Sequence, residues 1–322
     1  MPILDMPLEQ LKTYQGVNPC PPDIDAFWDR SIAEMEALGT GFDLREAAFQ
    51  VPNTQCFHLT FTGVKGAKIH CKFVRPAKVD APMPAVCVFH GYAGRSPEFS
   101  ALLSYVQAGF IVCAMDCRGQ GGLSEDVGGV RGNTLHGHII RGLEENDPSK
   151  LLFRDIFLDA AQMARIVMAM PEVDASRVSA TGGSQGGALT LACAALTPTL
   201  YRAAPMYPFL CDYKRVWDMD LDKAAYKELR DYFRLFDALH EREEEVFTLL
   251  GYIDNQHIAH RIKAEILMFT GLLDDICPPS TQFAAYNKIT SKKNVLIYPD
   301  FGHEQLYDSG DRILTFLQGL RP

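Results

Sequence analysis

The chain has 322 residues, 47% of them hydrophobic and 22% charged, and carries a net charge of −9. That length buries a sizeable core, and the composition is that of an ordinary globular protein. The acidic balance argues against nucleic acid or an anionic membrane surface as partner, and no apolar run approaches the ~20 residues that span a bilayer.

Residues 1 to 50 read as an irregular arm with helical pieces, such as Ile24 to Leu38, where Phe27, Ile32, Met35 and Leu38 fall on one side. The stretch Met1-Pro2-Ile3-Leu4-Asp5-Met6-Pro7 lacks a basic region followed by a long apolar one, so no signal peptide is expected. Two alternating runs follow, Gln55 to Phe61 and Ala67 to Val74, joined by Gly63-Val64-Lys65-Gly66, which is a hairpin signal. Ala85 to Phe89 and Phe110 to Met115 are continuously apolar, the pattern of strands buried on both faces of a parallel sheet.

Helical periodicity runs from Phe157 to Met170. A β-prone stretch, Arg177 to Thr181, then leads into Gly182-Gly183-Ser184-Gln185-Gly186, and Ala188 to Leu196 is a good helix former. Strands at Ala203 to Tyr207, Glu265 to Phe269 and Asn294 to Tyr298 follow, with a closing helix from about Asp311 to Leu320. Strands alternating with helices behind an antiparallel hairpin predict a mixed, mostly parallel sheet covered on both sides. That is an α/β class protein with the α/β-hydrolase layout.

Two segments exceed a minimal version of that layout. Gly121 to Lys150 is rich in glycine, histidine and acidic residues, and a connection of that length is a functional or interface element. Asp212 to Lys263 is helical by pattern and carries Trp217, Tyr226, Tyr232, Phe233 and Phe236. Lying between two core strands, it is expected to sit over their C-terminal ends as a cap. With no repeat or linker in view, residues 1–322 read as one domain. The nine cysteines form no C-x-x-C pair and no Cys/His cluster with zinc spacing, so they are expected reduced, in a cytoplasmic protein with no metal and no cofactor.

The G-x-S-x-G pattern by itself is an ordinary tight turn. Between a strand and a helix it becomes a nucleophile elbow, because the glycines allow the sharp turn and the helix aims its unpaired N–H groups at the serine. A serine hydroxyl needs a base to take its proton and a carboxylate to hold that base, here in the chain order Ser, acid, His. Asp274 follows the strand Glu265 to Phe269 and is the expected acid, with Asp275 its competitor. His303 follows the last strand and is the expected base, since His240, His257 and His260 fall in the helical segment. The oxyanion donors are expected to be the backbone N–H groups of Gln185, just after the serine, and of Tyr92, in the His90-Gly91-Tyr92-Ala93-Gly94 loop.

The residues resemble the acetyl xylan esterase and cephalosporin C deacetylase family, carbohydrate esterase family seven. The resemblance covers nearly the whole length. It rests on Arg118-Gly119-Gln120 followed by Gly121-Gly122, on Gly182 to Gly187 and on His303-Glu304. Gly271 to Pro279, Asn133 to Gly142 and Tyr207-Pro208-Phe209-Leu210 add to it. It implies removal of acetyl groups from xylo-oligosaccharides and small acetylated molecules such as cephalosporin C, by a serine triad in a cytosolic homohexamer whose sites face a shared interior. Arg118 and Gln120 are expected to brace the loops around the site.

The same residues would serve a general short-chain carboxylesterase. A prolyl-oligopeptidase-like peptidase would bring an N-terminal propeller, for which residues 1 to 80 have no room. A non-catalytic interaction protein of this fold would typically lack the serine or the histidine.

Overall fold

The structure, a computed structural model, describes residues 4–126 and 135–320. Residues 127–134 of the long insertion, including Asn133 and Thr134, lie outside the described residues, as do Met1 to Ile3 at the N-terminus. The strands are β1 (Phe42–Glu46), β2 (Thr54–Thr62), β3 (Lys68–Pro76), β4 (Met83–Phe89), β5 (Ile111–Met115), β6 (Val173–Gly183), β7 (Arg202–Met206), β8 (Glu265–Gly271) and β9 (Lys293–Tyr298). They form one nine-stranded sheet in the order β1-β2-β3-β5-β4-β6-β7-β8-β9. The β1, β2, β3 and β5 neighbours pair antiparallel, while β5-β4-β6-β7-β8-β9 are parallel throughout. This is the α/β-hydrolase fold.

Period-two alternation sorts the buried strands between two cores. Cys87 and Phe89 of β4 join Cys113 and Met115 of β5 in one cluster with the helices Ile24–Glu36, Leu152–Met168 and Gln185–Leu196. Val86 and Val88 join Val112 and Ala114 in the other, against the helices Phe99–Gln107 and Ser309–Leu317. All nine cysteines are unpaired, and eight of them are buried.

Four elements depart from the sequence reading, among them the unexpected helix Pro279–Lys288 behind the loop that carries Asp274. β1 lies within the arm read as irregular, and every one of its residues is exposed. Its fate is set by backbone pairing to β2, which a burial pattern does not register. The helix Phe99–Gln107 was not expected, and the helix read from Phe157 begins at Leu152. Along Leu152–Met168 fifteen residues are buried, polar ones included, so the apolar stripe that marks a surface helix is blurred at its start.

Buried carboxylates tie the N-terminal arm to the body. Asp212 accepts hydrogen bonds from the N–H groups of Val17 and Asn18 and from the Tyr14 hydroxyl, the last at 2.8 Å. Asp254 in turn accepts from the Asp212 N–H at 2.9 Å. Burial, with Lys288 adding to it, lowers the His257 pKa from 6.5 to about 4.

The unfolded chain takes that proton near pH 6.5 and the native protein only near pH 4. The stability contributed by the neutral ring is therefore complete above pH 6.5 and is lost as pH falls toward 4. Asp254 acts in the opposite sense. Burial raises it from 3.8 to about 6, so its contribution is complete below pH 3.8 and is lost as pH rises through 6. On moving from pH 7 to pH 5, the His257→Gln variant should lose about 2 kcal/mol less stability than the wild type. Urea unfolding at the two pH values checks this, and equal losses in both proteins would refute it.

Candidate active site

Ser184 joins β6 to the helix Gln185–Leu196 at φ 58° and ψ −119°. A serine in that region is strained and persists only where its surroundings dictate it. Here they do. A Cβ on Gly182 would lie 2.5 Å from the Phe89 carbonyl oxygen, and one on Gly186 would lie 2.2 Å from the same atom. The end of β4 thus presses against the turn from one side. From the other side, β7 receives the Ser184 N–H on the Met206 carbonyl at 3.1 Å, and the Phe209 N–H returns to the Ser184 carbonyl at 3.1 Å.

The loops after β8 and β9 bring Asp274 and His303 to this serine. His303 Nε2 lies 3.0 Å from Ser184 Oγ, and its Nδ1 lies 2.9 Å from Asp274 Oδ2. Asp274 is fully buried, and its other oxygen accepts the N–H groups of Ile276 at 3.0 Å and Cys277 at 2.8 Å. With Nδ1 donating to this carboxylate, Nε2 is the nitrogen left to accept the serine proton. The two loops are locked together, because a Cβ on Gly271 would sit 2.3 Å from the Phe301 carbonyl oxygen and Leu273 N–H donates to that oxygen at 2.9 Å. The Tyr207 ring packs on the His303 ring at 4.7 Å between centroids. Asp275 is elsewhere: it is half-exposed and pairs with Lys223 at 2.5 Å.

Gln185 is the first residue of its helix, where backbone N–H groups have no intrahelical partner. Its buried side chain forms a reciprocal amide pair with Gln120, at 2.7 Å and 3.0 Å. The loop carrying Tyr92 is held by His90, whose Nδ1 donates to the Gly91 carbonyl at 2.7 Å while its Nε2 accepts the Cys117 N–H at 3.0 Å. Burial lowers the His90 pKa and keeps this ring neutral, as both bonds require. Arg118 is fully buried. It makes a two-pronged bond to Asp159, at 2.5 Å and 2.7 Å, and a third to the Val64 carbonyl. Gln120 therefore touches the elbow directly, whereas Arg118 fastens its loop to the hairpin β2–β3 and to the helix Leu152–Met168.

Ser184 and His303 open into a cavity of about 380 Å³, otherwise walled by Tyr92, Ala93, His136, Phe209, Ala224, Ala225 and Ile276. Of these, only Tyr92 was singled out from the sequence with a role. Ala93, His136, Phe209 and Ile276 stood in quoted motifs without one, and nothing local marks Ala224 or Ala225 as lining residues. Among the described residues, Asp274, Cys277 and His303 form a group with metal-type donor atoms within 4.8 Å of one another. The donor atoms of two of them are already engaged in the Asp274–His303–Ser184 chain, so a metal there would have to break that relay. A groove of about 560 Å³ beside Glu244, Glu245 and Tyr252 contains none of these residues.

A family model for acetyl xylan esterase (AXE1) matches residues 1–320. Acetyl xylan esterase 1 from Thermoanaerobacterium sp. JW/SL YS485 shares 55% identity and superposes with a TM-score of 0.94, over 99% of this chain and 100% of that one. The acetyl xylan esterase of Paenibacillus sp. R4 shares 33% identity over 98% of this chain and 100% of its own, with a TM-score of 0.91. The acetyl esterase Axe7A of Xylanibacter ruminicola is 24% identical over 296 residues, or 90% of this chain, which spans 64% of the length of that protein.

Proposed function

The chain belongs to the acetyl xylan esterase family, and from that premise we propose that it is a serine esterase that removes acetyl groups from xylo-oligosaccharides and small acetylated molecules such as cephalosporin C. The observation that carries the mechanism is His303 standing between the Ser184 hydroxyl and the Asp274 carboxylate, within hydrogen-bond distance of both. Ser184 Oγ attacks the acetyl carbonyl as His303 Nε2 takes its proton, and Asp274 stabilises the imidazolium. The Tyr92 and Gln185 N–H groups bind the oxyanion. The tetrahedral intermediate collapses, the sugar alcohol leaves with the proton from His303, and water then attacks the acyl-enzyme through the same base to release acetate. Arg118 and Gln120 brace the loops that carry these donors.

The reading needs no metal or cofactor, and nucleic acid and membrane are not partners in it. No helix among the described residues is long and apolar enough to cross a membrane. Nine unpaired thiols favour a reducing compartment, here the cytoplasm. We infer that the segment 212–263 caps the site, since Ala224 and Ala225 stand on its cavity wall. The insertion 121–150 serves as an interface element of a homohexamer.

Acetate release from acetylated xylo-oligosaccharides, cephalosporin C and a series of acetyl to octanoyl aryl esters tests this, with Ser184→Ala as the blank. Fast turnover of sugar acetates with a collapse beyond propionyl is the expected result. Good activity on long acyl chains with sugar acetates ignored would move the protein to a general short-chain carboxylesterase, which uses the same triad.

A further inference from the structure

Glu228 lies at the start of the helix Lys227–Phe236, is 6% exposed, and takes no part in the chemistry described above. Its carboxylate accepts a short hydrogen bond from the Tyr92 hydroxyl. The same oxygen accepts the Gly137 N–H at 2.6 Å, and the second oxygen accepts the Ile139 N–H at 2.9 Å. The Tyr92 hydroxyl in turn accepts the His138 N–H at 3.2 Å. Gly137 stands at φ +84°, a conformation that aims alternate amides of its turn at one anion, as backbone nests do. Three segments remote in sequence therefore meet on one buried carboxylate: the loop after β4, the insertion and the helical segment between β7 and β8.

The same three segments supply the wall of the cavity around the serine, through Tyr92 and Ala93, His136, and Ala224 and Ala225. We propose that Glu228 is a positioning residue that joins these segments into one unit and thereby holds the Tyr92 N–H at the oxyanion and sets the width of the acyl pocket. This rests on the reading of Tyr92 as an oxyanion donor. A buried carboxylate is satisfied only when all its donors are in place, and each bond to it is charge-assisted. No single segment can hold it, so loss of one donor loosens the others. A glutamine has one acceptor oxygen, and its NH₂ would confront a backbone N–H that needs an acceptor.

Glu228→Gln should lower kcat for acetyl esters by ~10- to 100-fold, with little change in KM, because a displacement of about 1 Å at an oxyanion donor costs that much. It should also narrow the preference for acetyl over butyryl esters. Tyr92→Phe, which keeps the ring and its backbone but loses the hydroxyl, should do the same in milder form. The double variant should be little worse than Glu228→Gln alone, because both remove one shared link. Glu228→Asp keeps the charge and shortens the reach, and it gives the same readouts if the glutamine variant does not fold.

A lowered Tm with wild-type kcat and an unchanged acetyl-to-butyryl ratio, measured well below the Tm, would mean that Glu228 is structural only and would overturn the proposal. Additive losses in the double variant would do so too. If Ser184→Ala is silent while the Glu228 variants behave as wild type, this inference alone fails. If Ser184→Ala retains turnover, the reading of the whole site fails with it.

Discussion

Ser184→Ala should fold as the wild type does, with an unchanged thermal unfolding midpoint, and lose kcat by on the order of 10⁵- to 10⁶-fold. The oxygen removed is the only atom in the relay placed to attack a carbonyl, 3.0 Å from the base that takes its proton. The backbone strain at φ 58° is enforced by the carbonyls of Phe89 and Met206, not by the side chain, so alanine inherits the same turn. What remains in the variant is transition-state binding by the oxyanion donors, worth ~10³-fold over water. Acetate release from an aryl acetate gives the rate, and far-ultraviolet circular dichroism gives the fold. A folded variant keeping more than a small fraction of wild-type turnover would sink the mechanism.

Asp274→Asn should cost on the order of 10⁴-fold in kcat. The Asp274 oxygen that accepts from Ile276 and Cys277 N–H must remain an acceptor, so an asparagine there turns its NH₂ toward His303. An NH₂ facing Nδ1 selects the tautomer with the proton on Nε2, and that nitrogen can no longer accept from Ser184. Asp275→Asn should by contrast leave kcat within a few-fold. It removes only a partly exposed pair with Lys223, of a kind worth less than ~1 kcal/mol. Steady-state kinetics on the two variants settle the ranking. A severe Asp275 variant beside a mild Asp274 one would mean that the wrong carboxylate holds the histidine.

The elbow was legible because its requirements are local. A strand, a tight turn and a helix start each leave a mark in consecutive residues, and the glycines are there because Phe89 and Met206 carbonyls come too close for a Cβ. The order of acid and base after the last two strands was equally legible, since the Ser, acid, His order of this layout puts each at the end of a successive strand, and from β6 to β9 chain order follows strand order in this sheet. β1 left no such mark. It is an exposed edge strand whose identity comes from pairing with β2, a partner eleven to nineteen positions away along the chain. The helix Phe99–Gln107 is short and only partly buried, so its stripe is brief.

From sequence alone came the fold class, the family resemblance and the expectation of Ser184 as nucleophile and His303 as base, all of them read from patterns between near neighbours or from chain order. Chain order put Asp274 ahead of Asp275, and the tertiary structure separates these two identical side chains one residue apart. Their environments differ completely, one carboxylate being fully buried against His303 and the other facing Lys223 at the surface. The structure alone also shows which residues wall the cavity and that Glu228 bonds to two of the segments that form the wall. Those groups are brought together across 46 to 136 residues of chain, and hydrogen bonds between such distant partners have no counterpart in local spacing.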